Sequence, residues 1–320
     1  MRILPTLAAA LLLLGGQAAF GIPGGCPTEG ATPLTIGPLN PQNGFPVWVQ
    51  DSQGLALELC LDSTPPGSGL PPNCFFDPPI PGDPFSQQIG FGEEAFYWSA
   101  DTSIATSRID ALLVMAVEAA FLNGPPINGE QFPFTRLRIR VDVPEPGIYT
   151  VTHPYGQEQF IVDAVGAGQE IRESFDIEFA SSSTHQGRVG PLLVFDPLAD
   201  APLGFVGDGV TEHAVTGSPC GTNFFRIEAV GLDGTTPIDL DRGGNNVVEN
   251  DLFIVTGKLF DGVLPAPLTV NRTTFARTNP GQVEVFATSA STASVEVQGG
   301  PNLNGPHLLA GDGAGHFFAS

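Results

Sequence analysis

The chain has 320 residues, 34 acidic side chains against 12 basic ones, and a net charge of -22. That balance repels nucleic acid and anionic membrane surfaces, which attract basic proteins. With 42% apolar and only 14% charged residues it is a folding composition, not a disordered acidic tail, and its length allows two or three cores.

Residues 1–21 read as a secretory signal peptide. Arg2 supplies a positive start, "LAAALLLLGG" a short apolar run, and Ala19-Phe20-Gly21 a small-x-small site, with cleavage expected near Gly21. The run is short and glycine-interrupted for a membrane span, and no later run approaches ~20 apolar residues, so no span is expected. Cys26 follows soon after, but Pro23-Gly24-Gly25 lacks the aliphatic residue of a lipobox. Residues 22–42 read as an N-terminal linker.

Glycine (40) and proline (31) are spread along the whole length, which disfavours long helices. The stretches between them alternate with a period of two. A first β-sandwich module is expected over 43–182. "FPVWV" and "LALELCLD" read as a hairpin joined by "QDSQG". "TRLRIRVDV" sets Leu137, Ile139, Val141 and Val143 on one face and Arg136, Arg138, Arg140 and Asp142 on the other. "IYTVTH", "EQFIVD" and "ESFDIEF" follow, the last with Phe175, Ile177 and Phe179 inward. "DALLVMAVEAAFLNG" (110–124) is apolar at nearly every position, so periodicity does not separate helix from strand. The neighbouring strands on both sides favour a strand.

A second β module is expected over 183–262, after the polar stretch "ASSSTHQG", with strands in "PLLVFDP", "NFFRIEAV" and "NDLFIVTGKLF". "DGVLPAPLTV" reads as a linker. Residues 263–320 then hold "LTVNRTTFAR", "GQVEVFATS" and "ASVEVQG", which resemble the opening strands of a bacterial immunoglobulin-like domain. The segment is short for a ~100-residue sandwich, so a partial module or a piece of a longer protein is expected. The fold class is therefore all-β. The arrangement, with "VPEPGIYTVTHPYG" and "VTGSPCGTNFFRIE", resembles secreted bacterial surface proteins that string β-sandwich modules after a signal peptide. The resemblance implies export and β modules and carries over no functional residue.

Four cysteines are present and no CxxC occurs, which argues against a zinc knuckle or redox dithiol. In an exported chain an even count suggests disulfides. Cys60 and Cys74 flank a Pro/Gly loop whose closure contributes roughly 3 kcal/mol. Cys26 with Cys220 then follows by elimination, although three connectivities are open and the sequence does not choose.

"DLDRGGNNVVEND" (239–251) invites a calcium reading. Against an EF-hand pattern, Asp239, Asp241 and Gly244 fit, but Gly243 and Asn250 occupy ligand positions and the flanks read as strands. A looser calcium site from Asp239, Asp241, Asn245 and Glu249 is weighed against a plain β–β turn, and the turn is favoured. No HExxH or close histidine pair exists. His213 lies seven residues before Cys220, but a secreted cysteine is more often bridged than free. Ser218 is not in a GxSxG elbow.

The arginine stripe Arg136, Arg138 and Arg140 has two accounts. It binds an anionic ligand, or it pairs internally with "ESFDIEF", whose Asp176 and Glu178 lie on its polar face; the internal account is favoured. Phe96, Tyr97, Trp98 and Trp48 read as packing residues more readily than as a sugar-stacking platform. The expected function is a non-enzymatic extracellular structural, adhesive or binding protein. The alternative is a secreted hydrolase acting on polysaccharide or protein. The partner is an extracellular ligand, protein or polysaccharide in class, and no cofactor is expected beyond the calcium candidate.

Overall fold

The computed structural model describes residues 31–63, 73–166, 168–179, 184–264, 269–276, 282–289, 296–297, 307–312 and 314–319. The signal-peptide and Cys26 expectations lie outside these residues. The fold is all-β, as expected. Among the described residues no helix is long and apolar enough to cross a membrane. The chain divides into two units, Met1–Phe260 and Asp261–Ser320.

The first unit begins with three short strands, β1 (Leu34–Ile36), β2 (Val49–Gln50) and β3 (Ala56–Glu58). The expected first hairpin is β2–β3, with Val49 opposite Leu57. The long strands follow: β4 (Ala95–Ala105), β5 (Asp110–Phe121) and β6 (Gln131–Asp142). The ambiguous stretch at 110–121 is thus strand β5. Ala111, Leu113, Met115, Val117 and Ala119 all enter the core from one of its faces. β7 (Gly147–His153), β8 (Gly156–Val162) and β9 (Ile171–Glu178) come next. The remaining strands are β10 (Thr184–His185), β11 (Val194–Phe195), β12 (Glu212–Thr216), β13 (Phe225–Val230), β14 (Val247–Asn250) and β15 (Leu252–Leu259).

One antiparallel sheet runs β10-β1-β2-β3-β15-β4-β5-β6-β9, with β12 also on β15 and β11 on β12. A smaller sheet runs β14-β13-β7-β8. Both feed one hydrophobic core, with Leu113, Leu137 and Ile139 from the large sheet and Tyr149, Val151, Phe225 and Ile227 from the small one. This corrects the expected division at 182/183. β15 lies between β3 and β4, β13 pairs β7 and β10 pairs β1, so hydrogen bonds cross that boundary in both sheets. The two expected modules share one core because their strands interleave.

A bulge between Phe96 and Trp98 interrupts the β4–β5 register, and the adjacent Tyr97 and Trp98 are both fully buried. The Tyr97 hydroxyl donates to the Pro46 carbonyl and the Trp98 indole N–H to that of Leu193, 2.9 Å away. Trp48 is buried as well. These aromatics are core, not a stacking platform. A short helix, α1 (Pro84–Ile89), was not expected. Asp83 caps it through the N–H groups of Phe85 and Ser86, Pro84 opens it, and left-handed Gly90 closes it.

The second unit holds β16 (Thr269–Ala276), β17 (Gln282–Thr288), β18 (Glu296–Val297), β19 (His307–Leu308), β20 (Ala310–Gly311) and β21 (His316–Ala319). Its sheet runs β16-β17-β21-β20, and β18 pairs β19. Ala287, Leu309 and Phe317 form its small core.

Candidate anion-binding face

The alternation of β6 fixes the site. Leu137, Ile139 and Val141 are buried completely, so Arg136, Arg138 and Arg140 point to the opposite face of the sheet. β9 places Asp176, Ser174 and Arg172 opposite these three in turn. β5 places Ala116, Val114 and Leu112 on their other side. The three arginines therefore meet different surroundings.

Arg136 is spent internally. Its Nε and Nη2 each donate to the Asp176 carboxylate at 2.8 Å, a bidentate fork, and its Nη1 reaches Glu118 at 3.0 Å. That hydrogen bond holds Asp176 below the usual carboxylate range. Arg138 and Arg140 are not neutralised. Arg138 Nε and Arg140 Nη2 both donate to one acceptor, the Ser174 hydroxyl, each at 3.1 Å. Arg140 Nη1 donates to the carbonyls of Glu173 (2.6 Å) and Ile139 (2.9 Å). The next cross-strand partner of Arg140 is Arg172, another cation. Among the described residues no carboxylate comes within ion-pair distance of Arg138, Arg140 or Arg172. Burial, then the guanidinium groups of Arg138, Arg172 and Arg136, pull the Arg140 pKa downward. Two guanidinium groups about 6 Å apart repel by roughly 1–3 kcal/mol between water-like and protein-surface screening. A neutral hydroxyl orients them without relieving that repulsion. An anion on this face does both, and the arginine fork suits a carboxylate, sulfate or phosphate.

Beside Asp110, Asp142, Asp176 and Glu178, two acids with buried carboxyl oxygens lie on this face. Burial pushes Asp101 up to about 7, against the Met115 backbone and Arg138, which lower it. Burial likewise pushes Glu118 up to about 8, outweighing the adjacent Arg136. Asp101 Oδ1 is buried without a hydrogen-bond partner, and Glu118 Oε1 is buried 3.0 Å from Arg136 Nη1. Asp101 stands opposite Val114, four residues from Glu118 along β5. Their backbones are thus separated by roughly 13 Å along the strand. Paired glycosidase carboxylates lie ~5–9.5 Å apart.

The other sequence candidates lie in turns and strand pairs. Asp239 Oδ1 accepts the N–H groups of Asp241, Arg242 and Gly244. This holds Arg242 in the left-handed region at φ 68°. Asp241 accepts from the Gly243 N–H at 2.7 Å and the Asn245 side-chain amide at 2.6 Å. Glu249 lies on β14 and pairs with Arg226 on β13 at 2.5 Å. The four calcium candidates are thus divided between a turn and a strand pair. Among the described residues no three His, Cys, Asp or Glu side chains gather to hold a metal.

Cys60 and Cys74 are bridged, with Cα atoms 5.3 Å apart. Cys220 is disulfide-bonded too, so it is no free nucleophile. The Ser218 hydroxyl donates to the Pro154 carbonyl at 2.6 Å and accepts the N–H groups of Cys220 and Thr222, which commits it to a turn. His153 is fully buried; burial, helped by Arg188, pushes it down to about 3 and keeps the ring neutral. His213 stacks on Phe195 with centroids 4.3 Å apart and contacts Asp200 at 3.2 Å.

Sequence reading missed Ser174, a small polar residue without any signal of its own. It also passed over Glu118, whose charge within the apolar run "LLVMAVEAAF" was a visible signal. No protein-family model, no curated protein and no solved structure matches the chain.

Proposed function

We propose that this chain is a non-enzymatic extracellular binding protein that receives an anionic ligand on the outer face of β5, β6 and β9. One observation carries the reading: Ser174 holds Arg138 and Arg140 together with no carboxylate at ion-pair distance among the described residues, in a chain of net charge -22. Acids are abundant, and Asp142 and Asp176 lie on the same face, yet among the described residues none forms an ion pair with Arg138 or Arg140. The apolar run at the start and the Cys60–Cys74 bridge support an oxidising, extracellular setting. The test is the melting temperature in phosphate and in sulfate, for the wild type and for Arg138→Gln/Arg140→Gln. Anions stabilise every protein somewhat, so the difference between the two proteins is the readout. A larger rise for the wild type is expected; equal rises overturn the reading.

A secreted hydrolase is the second reading. The observation in its favour is the pair of raised carboxyls, Asp101 and Glu118, since catalytic acids are tuned upward by burial. Their backbones are about 13 Å apart along the strand, so the two side chains would have to close several ångström to act as a pair. Hydrolysis of a polysaccharide or protein by the wild type, lost in Asp101→Asn, would put this reading first.

A further inference from the structure

We infer that the ligand is a carboxylated polysaccharide, with uronate rings lying across the sheet, their carboxylates on Arg138 and Arg140 and their C–H faces on Leu112 and Val114. The inference rests on the anion-binding reading above and adds the class of the ligand. Leu112 stands directly opposite Arg140 and Val114 opposite Arg138, so an apolar row runs beside the cationic row along two strands. Leu112, near the start of β5, is 39% exposed although β5 is flanked by β4 and β6. A bare inorganic anion makes no use of such a side chain. Ser103, next to Leu112 on β4, and Ser174, next to Arg138 on β9, are small and exposed, which leaves the ridge open to an extended chain.

The net charge narrows the choice. At -22 the whole protein repels any polyanion at long range, so contact depends on short-range fork hydrogen bonds and apolar area. The guanidinium groups are already fixed by Ser174 and, for Arg140, by two backbone carbonyls. A fixed site gains most from a ligand that is also rigid. A uronate carries its carboxylate directly on a ring with an apolar face. A glutamate side chain of an acidic peptide gives up rotamer freedom to reach the same place.

The experiment is calorimetric titration of the full chain with oligogalacturonate, poly-L-glutamate and sulfate, using wild type, Leu112→Ser and Arg138→Gln/Arg140→Gln. Leu112→Ser is expected to weaken oligogalacturonate about tenfold and leave sulfate unchanged, while the double variant loses both. Leu112→Ala serves the same purpose should the serine variant not fold. Unchanged oligogalacturonate affinity in the Leu112 variant overturns the polysaccharide assignment while the anion site stands. Poly-L-glutamate binding as tightly as oligogalacturonate overturns it in favour of a protein partner. Loss of no ligand in the double arginine variant overturns the anion-binding reading itself.

Discussion

Glu118→Gln is expected to stabilise the protein at neutral pH, although it removes half of an apparent ion pair. The Glu118 side chain is completely buried, with Arg136 Nη1 3.0 Å away, and burial still raises its pKa from an ordinary 4.5 to about 8. A carboxyl with a higher pKa in the folded state takes up a proton on folding. Its contribution is fully present below about 4.5 and is lost as pH rises toward 8. At pH 7 the loss is the interval from 4.5 to 7, which at about 1.4 kcal/mol per pH unit is about 3 kcal/mol. Glutamine keeps the shape and an oxygen for Arg136, which retains its fork to Asp176. It abolishes the titration. Urea unfolding followed by tryptophan fluorescence reports the first unit alone, because both tryptophans, Trp48 and Trp98, lie there. The gap between variant and wild type should widen by about 2–3 kcal/mol from pH 5 to pH 7. A variant less stable than the wild type at pH 7 by more than ~1 kcal/mol would refute the reasoning, because the ionised pair would then be a net stabiliser.

Four further outcomes are expected from the structure. Asp101 is neutral below about 7 and charged above it, two strand spacings (~10 Å) from Arg138 across Val114. Sulfate affinity should therefore fall about threefold, from ~0.6 kcal/mol of Coulomb energy, between pH 6 and 8, and stay level in Asp101→Asn; a level wild type contradicts this. Replacing Cys60 and Cys74 by serine together should cost about 3 kcal/mol in urea unfolding, because the bridge closes a loop with a sequence separation of 14. Asp239→Ala should cost about 1–2 kcal/mol through the three N–H groups left without their acceptor. Millimolar calcium should leave the wild-type melting temperature unchanged, and a calcium-dependent rise lost in the variant would restore the metal reading.

The elements that were legible are those whose signal is local. β6 announces itself by strict alternation, which also assigns the arginines to one face. The helix α1 was equally local, since "DPFSQQIG" carries an aspartate cap, an opening proline and a closing glycine. The proline-rich context masked it. β5 carried no period because its outward face is also apolar or buried at Ala116, Glu118 and Ala120. The boundary at 182/183 failed for a non-local reason: Ile254 pairs with Asp101, and nothing near either residue says so. The site was half legible. That β6 and β9 are neighbours was anticipated from their charges, and Arg136 with Asp176 fulfils it. Which residue meets which arginine depends on register, and a slip of two residues would have set Asp176 opposite Arg138. The observed register puts Ser174 there instead, and among the described residues Arg138 and Arg140 have no carboxylate at ion-pair distance.

The most direct test follows the side-chain Nε–H resonances of the arginines by NMR while oligogalacturonate is added to the full chain. Arg138 and Arg140 should shift in a saturable manner at one common affinity. Arg136, held by Asp176 and Glu118, should stay in place. Shifts confined to arginines outside this face, or no saturable shift at Arg138 and Arg140, would contradict the account.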